Sequence, residues 1–272
     1  MQEFILNKIK MLPPLNESTI QIQQICNSAD ASIDDLSKVV EKDPMLTANI
    51  LKSANSPLYG FSREINNVKY AVNLFGMTTI KGFALNAAVK NSFKIDLSAY
   101  KLNEAKFLEL STMQNSLAIN WLAKAGESIK NTIIPASFML EIGKIIISSE
   151  LAERNMVAEF LSGLENIQNP SQLQEYERQI IGLSSLEVAA LVFDKWNLEI
   201  DMIDSIKYAL DLDNAPNDIK QKASALNIVL NLVNIFKAFD EEEVNACIKL
   251  ANDENLFSEE LNKAISILNQ NA

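Results

Sequence analysis

Apolar residues recur along this chain at intervals of three and four rather than in alternation, the period of helices that turn one face to a core. After Met1 to Lys10, where apolar and polar residues mix, Leu12-Pro13-Pro14-Leu15 fixes an extended approach, since each proline locks its own φ and restricts the residue before it. Asn16 or Ser18 can then cap a helix running to about Asn27. Ser32, with Asp35 three residues on, caps the next helix, whose Ile33, Leu36, Val39 and Val40 share a face. That helix stops at Asp43-Pro44, where Asp43 is placed as N-cap and Pro44 as first residue of a helix reaching Ala54. Asn55 is expected to end it in a left-handed conformation, and Gly60 to supply a positive φ in the loop Ser56-Pro57-Leu58-Tyr59-Gly60. A short helix from Val68 to Phe75 closes at Gly76, and another, opened by Thr78 or Thr79, covers Met77 to Phe93.

The pattern lengthens in the second half. Asn103 to Lys124 carries Phe107, Leu110, Met113, Leu117 and Trp121 on one stripe. Thr132 to Leu151 is expected as a single helix with Pro135 in its first turn, too interrupted by Pro135, Glu141 and Lys144 to span a bilayer and therefore a core element. Pro170 starts a helix that Gly182 ends, and Ser184 with Glu187 forms a capping box for the helix to Trp196. Further helices are expected over Ile200 to Leu210 and Ile219 to Phe239, and Asp240 with Glu243 makes the Asp-Glu-Glu-Glu run a second capping box rather than a metal site. The fold class is all-α with no sheet: residues 1–100 form a bundle of short helices, and residues 101–272 a larger helical half with a C-terminal extension.

Composition sharpens this picture mainly by exclusion. The chain has 272 residues, 48% of them hydrophobic, enough for a sizeable core, and a formal net charge of −11, which repels nucleic-acid phosphates and anionic membrane surfaces. Neither a nucleic acid nor a membrane is expected as partner. Cys26 and Cys247 are too few and too far apart for a disulfide framework, so a reducing cytoplasm is the expected compartment. No histidine occurs anywhere, which removes the common general base and the commonest metal ligand in one step. Neither G-x-x-x-x-G-K-[ST] nor G-x-G-x-x-G is present, so the usual phosphate cradles are missing as well. No cofactor and no catalytic residue is expected.

Several blocks, in order, resemble the HDOD family, bacterial signalling proteins related to HD-type metal phosphohydrolases. They are Leu12-Pro13-Pro14-Leu15, Glu41-Lys42-Asp43-Pro44-Met45-Leu46-Thr47 and Asn55-Ser56-Pro57-Leu58-Tyr59-Gly60, followed by Ile65, Ala71 and Phe75-Gly76. Phe138-Met139-Leu140-Glu141-Ile142-Gly143-Lys144 is similar to the family's Leu-Leu-His-Asp-Ile-Gly-Lys stretch, and Glu177, Gly182, Val188 to Val192 and Lys195-Trp196 to its closing motif. The resemblance covers about residues 12–210. It sets Leu140-Glu141 where a catalytic relative has His-Asp, Ser185 where a later histidine is common, and Ala209-Leu210 where His-His closes the domain; Leu and Ala cannot ligate a metal.

The resemblance therefore implies a retained scaffold with lost chemistry, acting in signal transduction through a protein partner. Its signature positions Pro13, Pro14, Asp43, Pro44, Asn55, Ser56, Tyr59, Gly60, Glu141 and Gly143 are the candidate interaction residues, although Asp43, Pro44, Asn55 and Gly60 also have plain capping and turn roles. Tyr59, Phe61 and Arg63 are read as a loop packed on the bundle. Two alternatives stay open: a sensor of a cyclic nucleotide or other small molecule in the cleft between the two halves, and a residual metal-dependent phosphohydrolase using Glu141 with Asp194 or Asp201.

Overall fold

The computed structural model describes residues 1–28, 30–61, 63–93 and 95–271. The architecture is all-α: α1 (Gln2–Lys10), α2 (Glu17–Cys26), α3 (Ile33–Glu41), α4 (Pro44–Ala54), α5 (Val68–Ser92), α6 (Glu104–Trp121), α7 (Glu127–Ser137), α8 (Ile142–Glu153), α9 (Val157–Leu164), α10 (Pro170–Ile181), α11 (Ser185–Lys195), α12 (Ile200–Lys207), α13 (Asn217–Leu232), α14 (Glu241–Asp253) and α15 (Ser258–Asn271). Among the described residues the one isolated extended pairing is an antiparallel bridge between Val233 and Ala238.

Local chemistry sets most boundaries as the pattern expects. Asn16, Asp43, Asn67, Asn103 and Asn169 each accept a hydrogen bond from a first-turn amide of the helix that follows. Ser32 with Asp35, and Ser184 with Glu187, form reciprocal capping boxes. Gly60 and Gly182 take φ of 70° and 89°, ending a 3-10 turn over Pro57–Tyr59 and helix α10.

Five expectations are corrected. Asn55 is not left-handed (φ −88°); it ends α4 with its side chain, whose amide donates to the carbonyls of Leu51 and Ile65 and accepts from the Ile65 amide, each at 2.8 Å. Gly76 (φ 75°, ψ 163°) leaves the helical region and divides α5 into two helical stretches, as expected, but Thr78 caps nothing: its hydroxyl bonds Asn131. Thr132 to Leu151 is two helices, with Pro135 inside α7. The Ile134 carbonyl is taken at 2.8 Å by both the Ser137 hydroxyl and the Asn115 amide, so the ladder fails there and a turn over residues 138–141 re-aims the chain into α8. α13 stops at Leu232 because the Asn234 side chain accepts from the Phe236 and Lys237 amides, making a turn. Asp240 caps α14 by accepting from Glu243, without the reciprocal bond of a box.

Two apolar clusters result. The smaller gathers α2, α3, α4 and one side of α5 around Ile22, Leu36, Ile50, Val72 and Phe83, and reaches Phe138 in the turn after α7. The larger holds α6 to α15 and also Ile5, Ile9, Leu12 and Leu15, so α1 and the double proline pack on the second half; the Trp196 indole donates to the Pro13 carbonyl at 3.1 Å. α5 is the shared wall, giving Ala84 and Ala87 to one cluster and Leu85, Ala88 and Val89 to the other. The segment Glu127–Glu153 is long and apolar enough to cross a membrane by composition, yet 94% of its apolar window is buried inside the fold.

Candidate functional site

The turn that separates α7 from α8 delivers Leu140 and Glu141, which the sequence resemblance sets at the His-Asp position, to the centre of the larger core. Leu140 is fully buried, and Glu141, just ahead of α8, is 1% exposed. A carboxylate so placed must be compensated. Its Oε1 accepts from Gln114 Nε2 at 2.8 Å, and its Oε2 lies 2.5 Å from the ammonium of Lys144 one turn on. Oε2 has no further hydrogen-bond partner among the described residues, so the lysine alone balances it. Lys144 is itself buried and sits 5.9 Å from the centre of the Tyr100 ring.

A second buried acid closes the arrangement. Glu177 of α10 accepts from the Tyr100 hydroxyl at 2.8 Å and from the Ser185 amide, at the start of α11, at 2.5 Å. The start of α8 lies so close to this point that a Cβ on Gly143 would meet the Ser185 carbonyl oxygen at 1.9 Å, which is why glycine is required there. Burial raises the Glu177 carboxyl above its ordinary pKa, against the opposing pull of Lys144 and its two hydrogen bonds. Burial alone would depress Lys144, but attraction to Glu141 and Glu177 outweighs it and holds the ammonium above its usual pKa.

These side chains do not fit the metal that HD relatives use. Leu140 offers no donor, Ser185 is buried against Glu177, Ala209 is fully buried with its carbonyl bonded to Asn227 at 2.8 Å, and Leu210 is a half-buried hydrophobic residue. Nor are Asp194 and Asp201 gathered with Glu141: Asp194 is exposed on α11 and Asp201 pairs with Lys222. Among the described residues no three His, Cys, Asp or Glu side chains stand close enough to hold an ion. A fixed ammonium occupies the one remaining carboxylate, and an ammonium repels a divalent cation.

Sequence reading missed the element that joins this centre to the signature loop. The stripe assigned to α6 is only partly right, since Leu110 and Met113 are half-buried while Ser111, Thr112, Gln114, Asn115 and Ser116 are buried. Gln114, Asn115 and Ser116 are tethers. Gln114 also donates to the Val233 carbonyl (2.9 Å), Asn115 accepts from the Tyr59 hydroxyl (2.8 Å), and Ser116 donates to the Leu58 carbonyl (2.6 Å). One signal was available: no charged residue occurs from Leu110 to Leu122, whereas a solvated helix face normally carries charge.

The signature residues themselves divide into separate places. Pro13 and Pro14 lie against Trp196. Asp43 caps α4 by accepting from Leu46 and Pro44 begins it. Ser56, Tyr59 and Gly60 share the loop, where Tyr59 packs edge-on against Phe75 (4.9 Å) and Phe83 (5.8 Å) and Phe61 against Phe75 (5.1 Å), as loop packing requires. Between α4, this loop, α5 and α6 opens a cavity of about 500 Å³, with Asn55, Ser56 and Leu58 on one side and Thr112 and Phe138 on the other. Glu141 and Gly143 are buried away from the surface.

Comparison with known proteins agrees with this architecture. An uncharacterised protein of Treponema pallidum is 20% identical over 226 residues, covering 82% of this chain; the chain spans 42% of that relative's length. An HDOD domain protein of unknown function from Geobacter sulfurreducens superposes with a TM-score of 0.66 at 19% identity, covering 99% of this chain and 97% of its own. A virulence factor from Campylobacter jejuni gives a TM-score of 0.61 at 24% identity, covering 99% and 96%. The model of the HDOD domain matches residues 12–212, three quarters of the chain and every block from the double proline to the end of α12, and the chain belongs to the HDOD domain family.

Proposed function

We propose that this chain is a non-catalytic signal-transduction module that works by binding another protein, on an HD scaffold whose metal chemistry has been replaced by packing. One observation carries the reading: the carboxylate at the His-Asp position is buried, held by Gln114 and neutralised by Lys144. Hydrolysis of a phosphate ester on this scaffold needs an ion to polarise the phosphoryl oxygen and make hydroxide. The lysine supplies charge but no open coordination position.

The cleft between the short-helix bundle and the larger half is the proposed contact region, because the signature loop forms its edge and α6 ties that loop to the core. A reducing cytoplasm is the proposed compartment, in keeping with two free thiols, half-buried Cys26 and buried Cys247. The test pairs two assays on the purified chain. Partner capture from the source cell is expected to recover a protein whose binding Ser56→Arg at the cleft edge abolishes, and bis-p-nitrophenyl phosphate is expected to remain intact with Mg²⁺, Mn²⁺ or Fe²⁺. Turnover that Glu141→Gln removes, with nothing captured, refutes the reading.

A further inference from the structure

The cavity beside the signature loop contains a side chain that the fold leaves without a partner. Asn86 on α5 is 3% exposed, yet its carboxamide, with one acceptor and two donors, makes no hydrogen bond among the described residues and faces the cavity it lines. Other buried amides are tied at least in part, as when Asn115 holds Ile134 and Tyr59 and Gln114 donates to Glu141 and Val233; Gln174 is also without a bond among the described residues, but Asn86 is the one that lines this cavity. Such a group at the base of a cavity is expected to be met by something from outside.

The surroundings of Asn86 narrow the chemistry. Thr112 donates its hydroxyl hydrogen to the Leu108 carbonyl at 2.6 Å, so towards the cavity it can only accept. Phe138 and Leu58 supply apolar walls. At the open side stand one cation and one anion, Lys52 and Glu109, both exposed and neither in an ion pair among the described residues. The lining carries no net charge and no run of backbone amides of the kind that cradles phosphate. A polyanion is disfavoured. A flat, uncharged molecule with an in-plane donor–acceptor edge matches a primary amide, as asparagine matches the edge of adenine. At about 500 Å³ the volume lies within the usual range for small-ligand sites and exceeds what a free base alone would fill.

We propose that this cavity binds a neutral nucleoside or its free base, read by Asn86, as an input to the module. Ser56 borders both the cavity and the proposed contact region, but Asn86 and Ser53 are not required by the interaction reading, so their variants let either proposal fail alone. The experiment is isothermal titration of the full chain with adenosine, guanosine, cytidine, uridine and their bases, with glutamine and a cyclic dinucleotide as counter-probes. One nucleoside or base is expected to bind, and Asn86→Leu to weaken it by at least about tenfold, the worth of one lost hydrogen-bonded edge. Because Asn86 is buried, Ser53→Phe at the half-buried rim is the second variant, expected to block binding while circular dichroism stays unchanged. The inference is overturned if no nucleoside or base binds at millimolar concentration, if binding survives Ser53→Phe, or if glutamine or the dinucleotide binds in their place.

Discussion

Replacing Lys144 by Met removes the only group among the described residues that balances Glu141 Oε2 and keeps roughly the volume of the side chain. Both partners are nearly dry, with side-chain exposures of 6% for the lysine and 1% for the glutamate, so solvent screening offers the orphaned carboxylate little relief. Breaking a buried pair from one side costs about 3–5 kcal/mol, a large share of the roughly 5–15 kcal/mol that holds a domain folded. Urea unfolding followed by far-ultraviolet circular dichroism at pH 7 measures it, with an unchanged slope showing that the denatured state is the same. Adding Glu141→Gln removes the unbalanced charge, and the double variant is expected to recover about 1–3 kcal/mol of the loss. The pH dependence has a fixed sign. Because the folded ammonium titrates above its usual 10.5, its contribution is present throughout the neutral range and disappears as pH climbs through the raised value; Lys144→Met should lack that alkaline loss. A cost below about 1 kcal/mol, or a double variant no more stable than Lys144→Met, would refute the account of the centre as a built-in ion pair.

Other outcomes follow from the same geometry. Gly143→Ala drives a methyl into the Ser185 carbonyl and is expected to cost about 3 kcal/mol or prevent folding, seen as a fall in melting temperature. At Gly76 a Cβ has open space, but φ 75° with ψ 163° is a backbone region reserved for glycine, so Gly76→Ala should cost about 2 kcal/mol by strain alone in the same melts. Carbon-13 NMR of the Glu177 carboxyl should give a midpoint above the ordinary 4.5, so that its contribution to stability is greatest in acid and is lost as pH rises through the folded value; a midpoint at or below 4.5 contradicts the burial argument. Burial lifts the Cys26 thiol to about 11 and Cys247 to about 12, so iodoacetamide at pH 8 should label both only slowly until urea unfolds the chain, as mass spectrometry would read.

What could be read in advance was what local chemistry dictates. Asp43 before Pro44, Ser32 with Asp35, Ser184 with Glu187, and Gly182 after an apolar helix fix their boundaries through bonds within four residues, and those boundaries appear as expected. The early end of α13 is also local, set by Asn234, but the misread break between α7 and α8 is decided in part by a partner far along the chain. The break at residues 138–141 depends on Asn115, from the helix before, helping to take a carbonyl, and nothing within Thr132 to Leu151 announces that. The candidate centre divides along the same line. That the resemblance sets Leu140-Glu141, without a histidine, at the His-Asp position was legible in the sequence, whereas the pairing of Glu141 with Gln114 and Lys144 needed α6 and α8 side by side. Asn86 was invisible for the same reason, since a lone asparagine in an apolar helix gives no hint that it goes unanswered.

Residues outside the family match are built into the interior. The Trp121 indole donates to the Leu256 carbonyl at 2.7 Å, Gln114 to that of Val233, and α1 sits on α8 and α11. Excising residues 12–212 for expression would therefore uncover the flank of α6 that α15 covers and strip one tether from the glutamine beside Glu141. Such a fragment is expected to aggregate, and ligand or partner assays made on it would report on a different molecule.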